Sequence, residues 1–126
     1  MNNMGKRKLT STNLQNERFI SATCDLTYAL CLLSGRWKML ILCHLKDDIL
    51  RYSEIRDKIP GITERMLTVQ LRELEKDGLI YRTVYPEFPP HVDYRLSEMA
   101  IELIPVWDIL ENWGTAHRNK IDSPVQ

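Results

Sequence analysis

Between Ser53 and Leu96 the hydrophobic period changes from helical to alternating, and the order of those periods leaves few folds open. Ser53 is the expected N-cap of a two-turn helix holding Ile55 and Ile59, stopped by Pro60-Gly61. Thr63 can cap the next run, "TERMLTVQLRELEKDG", in which Leu67, Leu71 and Leu74 recur on one helical face and Gly78 ends the helix. Directly after it, "LIYRTVY" and "HVDYRLS" have strand character. The prolines of "PEFPP" between them forbid a regular tight hairpin and favour an extended loop tip. Two helices joined by a tight turn and followed by such strands form a helix-turn-helix with a wing.

Helices flank this unit on both sides. "CDLTYALCLLSG" reads as a short helix ending at Gly35, with Leu26, Leu30 and Leu33 in one stripe and Cys31 and Leu32 off it. "RWKMLILCHLKDD" is also apolar on most faces. Two such helices are hard to bury in one small protomer, which points to a subunit interface. For the second, a central helix surrounded by its own domain accounts for the pattern equally well. Ser97 caps a final helix through Leu103, Ile104, Val106, Trp107, Leu110 and Trp113, with Pro105 marking a kink or restart. The fold class is therefore mainly α with a small β-wing. The expected organisation is a mobile basic tail over residues 1–18, one domain over 19–121 and a short tail over 122–126.

The polar side of the Thr63 to Lys76 helix carries Arg65, Thr68, Val69, Arg72 and Lys76, opposite Leu67 and Leu74. A major-groove reader needs such groups: guanidinium forks for guanine edges, a hydroxyl, and a small apolar group for a thymine methyl. The bland alternative is a solvated face whose arginines serve solubility. Context favours the reader, because a short helix containing Ser53 precedes the strip and a hairpin bearing Arg82, His91 and Arg95 follows it. Ser53, Arg65, Thr68, Val69, Arg72, Lys76, Arg82 and His91 are the candidate DNA contacts.

Net charge does not itself argue for nucleic acid, since 17 basic and 17 acidic side chains cancel over 126 residues. Their distribution matters more: Lys6, Arg7, Lys8 and Arg18 face only Glu17 in the first 18 residues, and acids prevail after residue 96. No apolar run approaches the ~20 residues of a membrane span. The N-terminal stretch lacks the apolar centre of a secretory signal, and Cys24, Cys31 and Cys43 lack disulfide-framework spacing, so a cytoplasmic protein with reduced thiols is expected. No glycine-rich phosphate loop or nucleophile elbow suggests an enzyme. Cys43 and His44 are adjacent, and His91 and His117 have no partner at ligand spacing, so neither a metal nor another cofactor is expected.

The blocks "GRWKMLILCHL", "LRYSEIRDKIPGITERMLTVQLRELEKDGLIYRTVYPEFPPHVDYRLSE" and "LIPVWDILENWG" resemble those of the HxlR-type winged-helix transcriptional regulators, relatives of the MarR group. The resemblance covers roughly residues 24 to 114. It implies a homodimer whose two recognition helices read half-sites of a near-palindromic double-stranded DNA operator. By position it places Arg65, Thr68, Val69 and Arg72 on the recognition helix and Glu87 to His91 at the wing tip. Dimer contacts are expected from Leu26 and Leu30 on the N-terminal helix and from Trp107, Leu110 and Trp113 near the C-terminus.

Members of that family often open the domain with Cys-Pro, and in some this cysteine senses oxidants or electrophiles. Here Cys24 precedes Asp25, so half of the motif is missing. A helix N-terminus favours the thiolate and the adjacent carboxylate opposes it. Cys24 is the candidate redox sensor, while Cys31 and Cys43 read as small core residues. A winged-helix module used only for protein contacts is the competing function. It would carry an apolar strip in place of Arg65, Thr68 and Arg72. The effector is unknown.

Overall fold

The computed structural model describes residues 24–123. The basic tail expected over residues 1–18 lies outside them. The chain divides between Gly35 and Arg36 into two compact units. In the first, helix α1 (Asp25–Leu33) starts after Cys24 and gives way at Ser34. Gly35 follows at φ +100°, the left-handed conformation that a glycine just past a helix end adopts without a Cβ clash. No residue of α1 is buried, and Leu26, Tyr28 and Leu30 are exposed.

The second unit contains helix α2 (Lys38–His44), strand β1 (Leu50–Arg51), helices α3 (Tyr52–Lys58) and α4 (Glu64–Lys76), strands β2 (Ile80–Tyr85) and β3 (His91–Leu96), and helices α5 (Glu98–Ile101) and α6 (Ile104–Asp122). The three strands pair antiparallel in the order β1-β3-β2. This is a mainly helical winged helix, as the periodicity predicts.

Helix α4 owes its place to its leucines. Leu67, Leu71 and Leu74 bury completely or nearly so, against a core that includes Ile41, Leu42, Ile55 and Ile80. Truncating any one of these leucines to Ala costs about 2–5 kcal/mol. Thr63 caps the helix, accepting a 3.0 Å hydrogen bond from the Met66 N–H. Gly61 and Gly78, both at positive φ, bracket it.

Ser53 does not cap α3. That helix begins one residue earlier, at Tyr52, and Arg51 is its extended N-cap residue. The Glu54 carboxylate, three positions on, accepts the Arg51 N–H at 2.7 Å. An acid at that position satisfies the cap's own N–H from inside the helix, so the hydroxyl is not needed. Ser53 lies exposed in the first turn.

Helix α2 is partly a core helix, burying Ile41 and Leu42, yet Leu40 and Cys43 stay exposed. Cys31 is exposed too, so neither it nor Cys43 fills the core. The C-terminal helix splits as Pro105 suggests. Ser97 caps the single turn of α5 through the Ala100 N–H, and α6 restarts with Pro105 in its first turn, where a missing N–H leaves no bond unmade.

Trp107 departs from expectation. It is 3% exposed, packed inside its own protomer, whereas Leu110 and Trp113 are 55% and 63% exposed. At about 100° per residue, Trp107 points about 60° away from Leu110 and about 120° away from Trp113, towards the core. It is a core residue of the protomer, not part of the exposed face that a dimer contact was expected to occupy. The outward stripe is Val106, Ile109, Leu110 and Trp113, spaced as one helix face and all exposed.

Candidate nucleic-acid interface

Burial of the three leucines turns the opposite side of α4 to solvent. Arg65, Val69, Arg72 and Lys76 are all exposed there. None of these three cations is in an ion pair among the described residues. Two of the three acids of α4 are placed otherwise: Glu64 accepts Arg56 Nη1 at 2.9 Å, and Glu73 meets Lys38 Nζ at 2.8 Å. Each of these pairs ties α4 to another helix, α3 or α2. Neither pair draws on the cations of the strip.

Thr68 sits at the edge of the strip nearest Leu71 and is half-buried. Its Oγ1 lies 3.1 Å from the Tyr52 Oη of α3, and the same Tyr52 hydroxyl donates to the Glu64 carbonyl at 2.8 Å. Tyr52 therefore pins the start of α3 to the first two turns of α4.

Strand register brings Arg82 to this helix. Arg82 pairs with Tyr94 and Ile80 with Leu96, so all four share one sheet face. Ile80, Tyr94 and Leu96 are buried on that face, and Arg82, farther along β2, stays exposed. A cleft of about 390 Å³ opens there, lined by Tyr52, Thr68, Leu71, Arg72, Glu75, Arg82 and Tyr94. Two guanidinium groups, three hydroxyl-bearing side chains and one carboxylate thus border a single space between α4 and the wing strands.

The other basic wing residues do not join them. His91 and Arg95 alternate onto the opposite face. Arg95 lies over the Tyr81 ring at 5.2 Å. His91 stacks on Tyr85, with Nδ1 2.9 Å from the Glu87 carboxylate and Nε2 3.8 Å from that of Asp93. Its nitrogens face the protein's own acids. The wing tip itself presents Phe88, 96% exposed. Ser53 has no part in the cleft.

Sequence reasoning missed Tyr52 and Glu75. Glu75 could have been found, because it lies seven residues after Thr68 and falls on nearly the same face. Tyr52 gave no periodic signal, since its partner Thr68 belongs to another helix.

Two cysteines contrast electrostatically. The Cys24 thiol, at the start of α1, has its pKa lowered first by a hydrogen bond from the Thr27 side chain and then by the Thr27 backbone. Cys43 moves the other way: partial loss of solvent around the thiol raises it, against a smaller opposing effect of Lys46. Among the described residues no group of three or more His, Cys, Asp or Glu side chains could hold a metal ion. No single helix there is long and apolar enough to cross a membrane.

Comparison with known proteins agrees with this architecture. Residues 32–122 match the model of the HxlR-like helix-turn-helix family. An HTH-type transcriptional regulator of Methanothermobacter thermautotrophicus, itself uncharacterised, is 54% identical over 91 residues, covering 72% of this chain and 70% of that protein. The solved structure of the HTH-type regulator ytcD superposes with a TM-score of 0.72 at 46% identity, over 75% of this chain and 96% of that one. The redox regulator HypR in its reduced form gives 0.74 at 39% identity, over 79% and 99%. With a helix-turn-helix, a wing and a match across most of its length, the chain belongs to the HxlR-like helix-turn-helix family of transcriptional regulators.

Proposed function

We propose that the protein regulates transcription in the cytoplasm as a homodimer whose two α4 helices read half-sites of a near-palindromic DNA operator. The observation that carries this reading is the strip of Arg65, Val69, Arg72 and Lys76. It is exposed, its cations form no ion pair among the described residues, and Arg82 of β2 is brought to its edge by strand register. Arg65 and Arg72 suit paired hydrogen bonds to guanine, Val69 suits a thymine methyl, and Arg82 suits phosphate. A protein-only module would need an apolar strip at these positions.

A second copy of the chain is the partner that the exposed apolar stripe of α6 fits, with Leu26 and Leu30 of α1 as further contacts. Aromatic and aliphatic side chains of this kind form the desolvated centre of a stable interface. For the signal, the favoured group is Cys24, whose lowered pKa makes its thiolate more available. Similarity to a redox regulator supports that assignment.

A mobility-shift assay at moderate salt tests the reading. DNA from the protein's own promoter region should bind more tightly than random DNA, and both affinities should fall steeply as salt rises. Equal affinity for the two DNAs would reject it.

A further inference from the structure

We propose that Tyr52 fixes the Thr68 hydroxyl as a hydrogen-bond acceptor, so that Thr68 selects a base presenting an exocyclic amino group, adenine or cytosine, in the major groove. The inference rests on the reading of α4 as the helix that reads DNA, and it adds the direction of one contact. A tyrosine hydroxyl has one proton. The Glu64 carbonyl cannot donate, so the 2.8 Å contact from Tyr52 Oη to that oxygen uses the tyrosine's proton. The 3.1 Å contact between Tyr52 Oη and Thr68 Oγ1 then has a bonding proton only if Thr68 supplies it.

With its own proton committed to Tyr52, Thr68 Oγ1 shows only lone pairs to a third partner. Both hydroxyls border the open cleft, together with Glu75, whose carboxylate is likewise an acceptor when ionised. One edge of α4 therefore offers acceptors, while Arg65 and Arg72 offer donors. In the major groove adenine N6 and cytosine N4 donate, whereas guanine O6 and thymine O4 accept. A keto oxygen opposite Thr68 would meet lone pairs on both sides, and the arginines cover that preference elsewhere on the helix.

The test begins with operators selected from random DNA by the wild type, Thr68→Val and Thr68→Ser. The position whose preference changes in Thr68→Val, and is kept in Thr68→Ser, is the one Thr68 faces. At that position single operators are then made in which the base lacks its exocyclic amino group, or its pairing partner lacks its keto oxygen. Loss of the amino group should weaken wild-type binding about tenfold and leave Thr68→Val unaffected, a magnitude typical of one hydrogen bond at a desolvated interface. Coupling of Thr68 to the keto oxygen, or to neither group, would overturn the inference while leaving DNA reading by α4 intact. Failure of the wild type to select any sequence would instead reject that underlying reading. Tyr52→Phe, checked for unchanged thermal unfolding of its helices, should reduce the amino coupling by at least half. An unchanged coupling would remove Tyr52 from the account.

Discussion

Lys38 Nζ lies 2.8 Å from the Glu73 carboxylate, with the lysine side chain 11% exposed and the glutamate 51%. The pair fastens the buried start of α2 to the last turn of α4, and its two ends are not equivalent. Removing Lys38 leaves a carboxylate that water can still reach, whereas removing Glu73 strands an ammonium in the protein. Glu73→Gln is expected to cost about 1–3 kcal/mol, and Lys38→Met less than about 1 kcal/mol because the methionine keeps the apolar stem. Urea unfolding of the two variants checks the order, and equal losses would mean that the lysine reaches water freely.

Arg65 and Arg72 should behave differently from Arg82. If the helix arginines grip guanine edges, changing either to Ala costs about 1–3 kcal/mol and relaxes preference at one operator position. Arg82→Ala should weaken all sequences alike and reduce the slope of affinity against salt. Titrations on matched and single-substituted operators distinguish the cases, and a uniform loss from all three would make α4 a positioning element.

Assembly and folding separate on α6. Leu110→Asp or Ile109→Asp, on the exposed stripe, should give folded monomers that lose operator binding. Trp107→Ala should instead destabilise the protomer by about 3–5 kcal/mol, because that ring is buried. Light scattering with circular dichroism reads both, and an unchanged dimer in the Asp variants would move the interface elsewhere.

Thiol reactivity should follow the opposite shifts of Cys24 and Cys43. Alkylation requires the thiolate, so a lowered pKa moves the pH profile down and a raised one moves it up. In proteins retaining one cysteine each, Cys24 should reach half-maximal alkylation rate at a lower pH than a simple thiol, and Cys43 at a higher one. On mild oxidation, operator affinity should change in the wild type and not in Cys24→Ser. Identical responses would make Cys24 structural.

The elements around α4 were legible because each is written locally. Leucines at helical spacing, a threonine cap, glycine stops and two alternating runs each specify their own conformation without distant partners. Face assignment across elements was less so. Arg82 and His91 look equivalent along the chain, but strand alternation sends them to opposite sides of the sheet. The Thr68 contact depends on a tyrosine 16 residues earlier. Trp107, which the resemblance places among the dimer contacts, is buried instead, and the spacing of Val106, Ile109, Leu110 and Trp113 along the chain already marks the outward face. Ser53 is not the cap because Arg51 takes the N-cap position, with its own N–H held by the Glu54 carboxylate.

A hydroxyl-radical footprint over the promoter region next to the protein's own gene tests the central claim most directly. A dimer reading two half-sites with paired α4 helices predicts two protected tracts on one face of the duplex, centred about 34–36 Å apart or a whole number of turns beyond that. Arg65→Ala and Arg72→Ala should abolish both tracts together. Protection that is absent, or confined to one tract bound by a single protomer, would contradict the account.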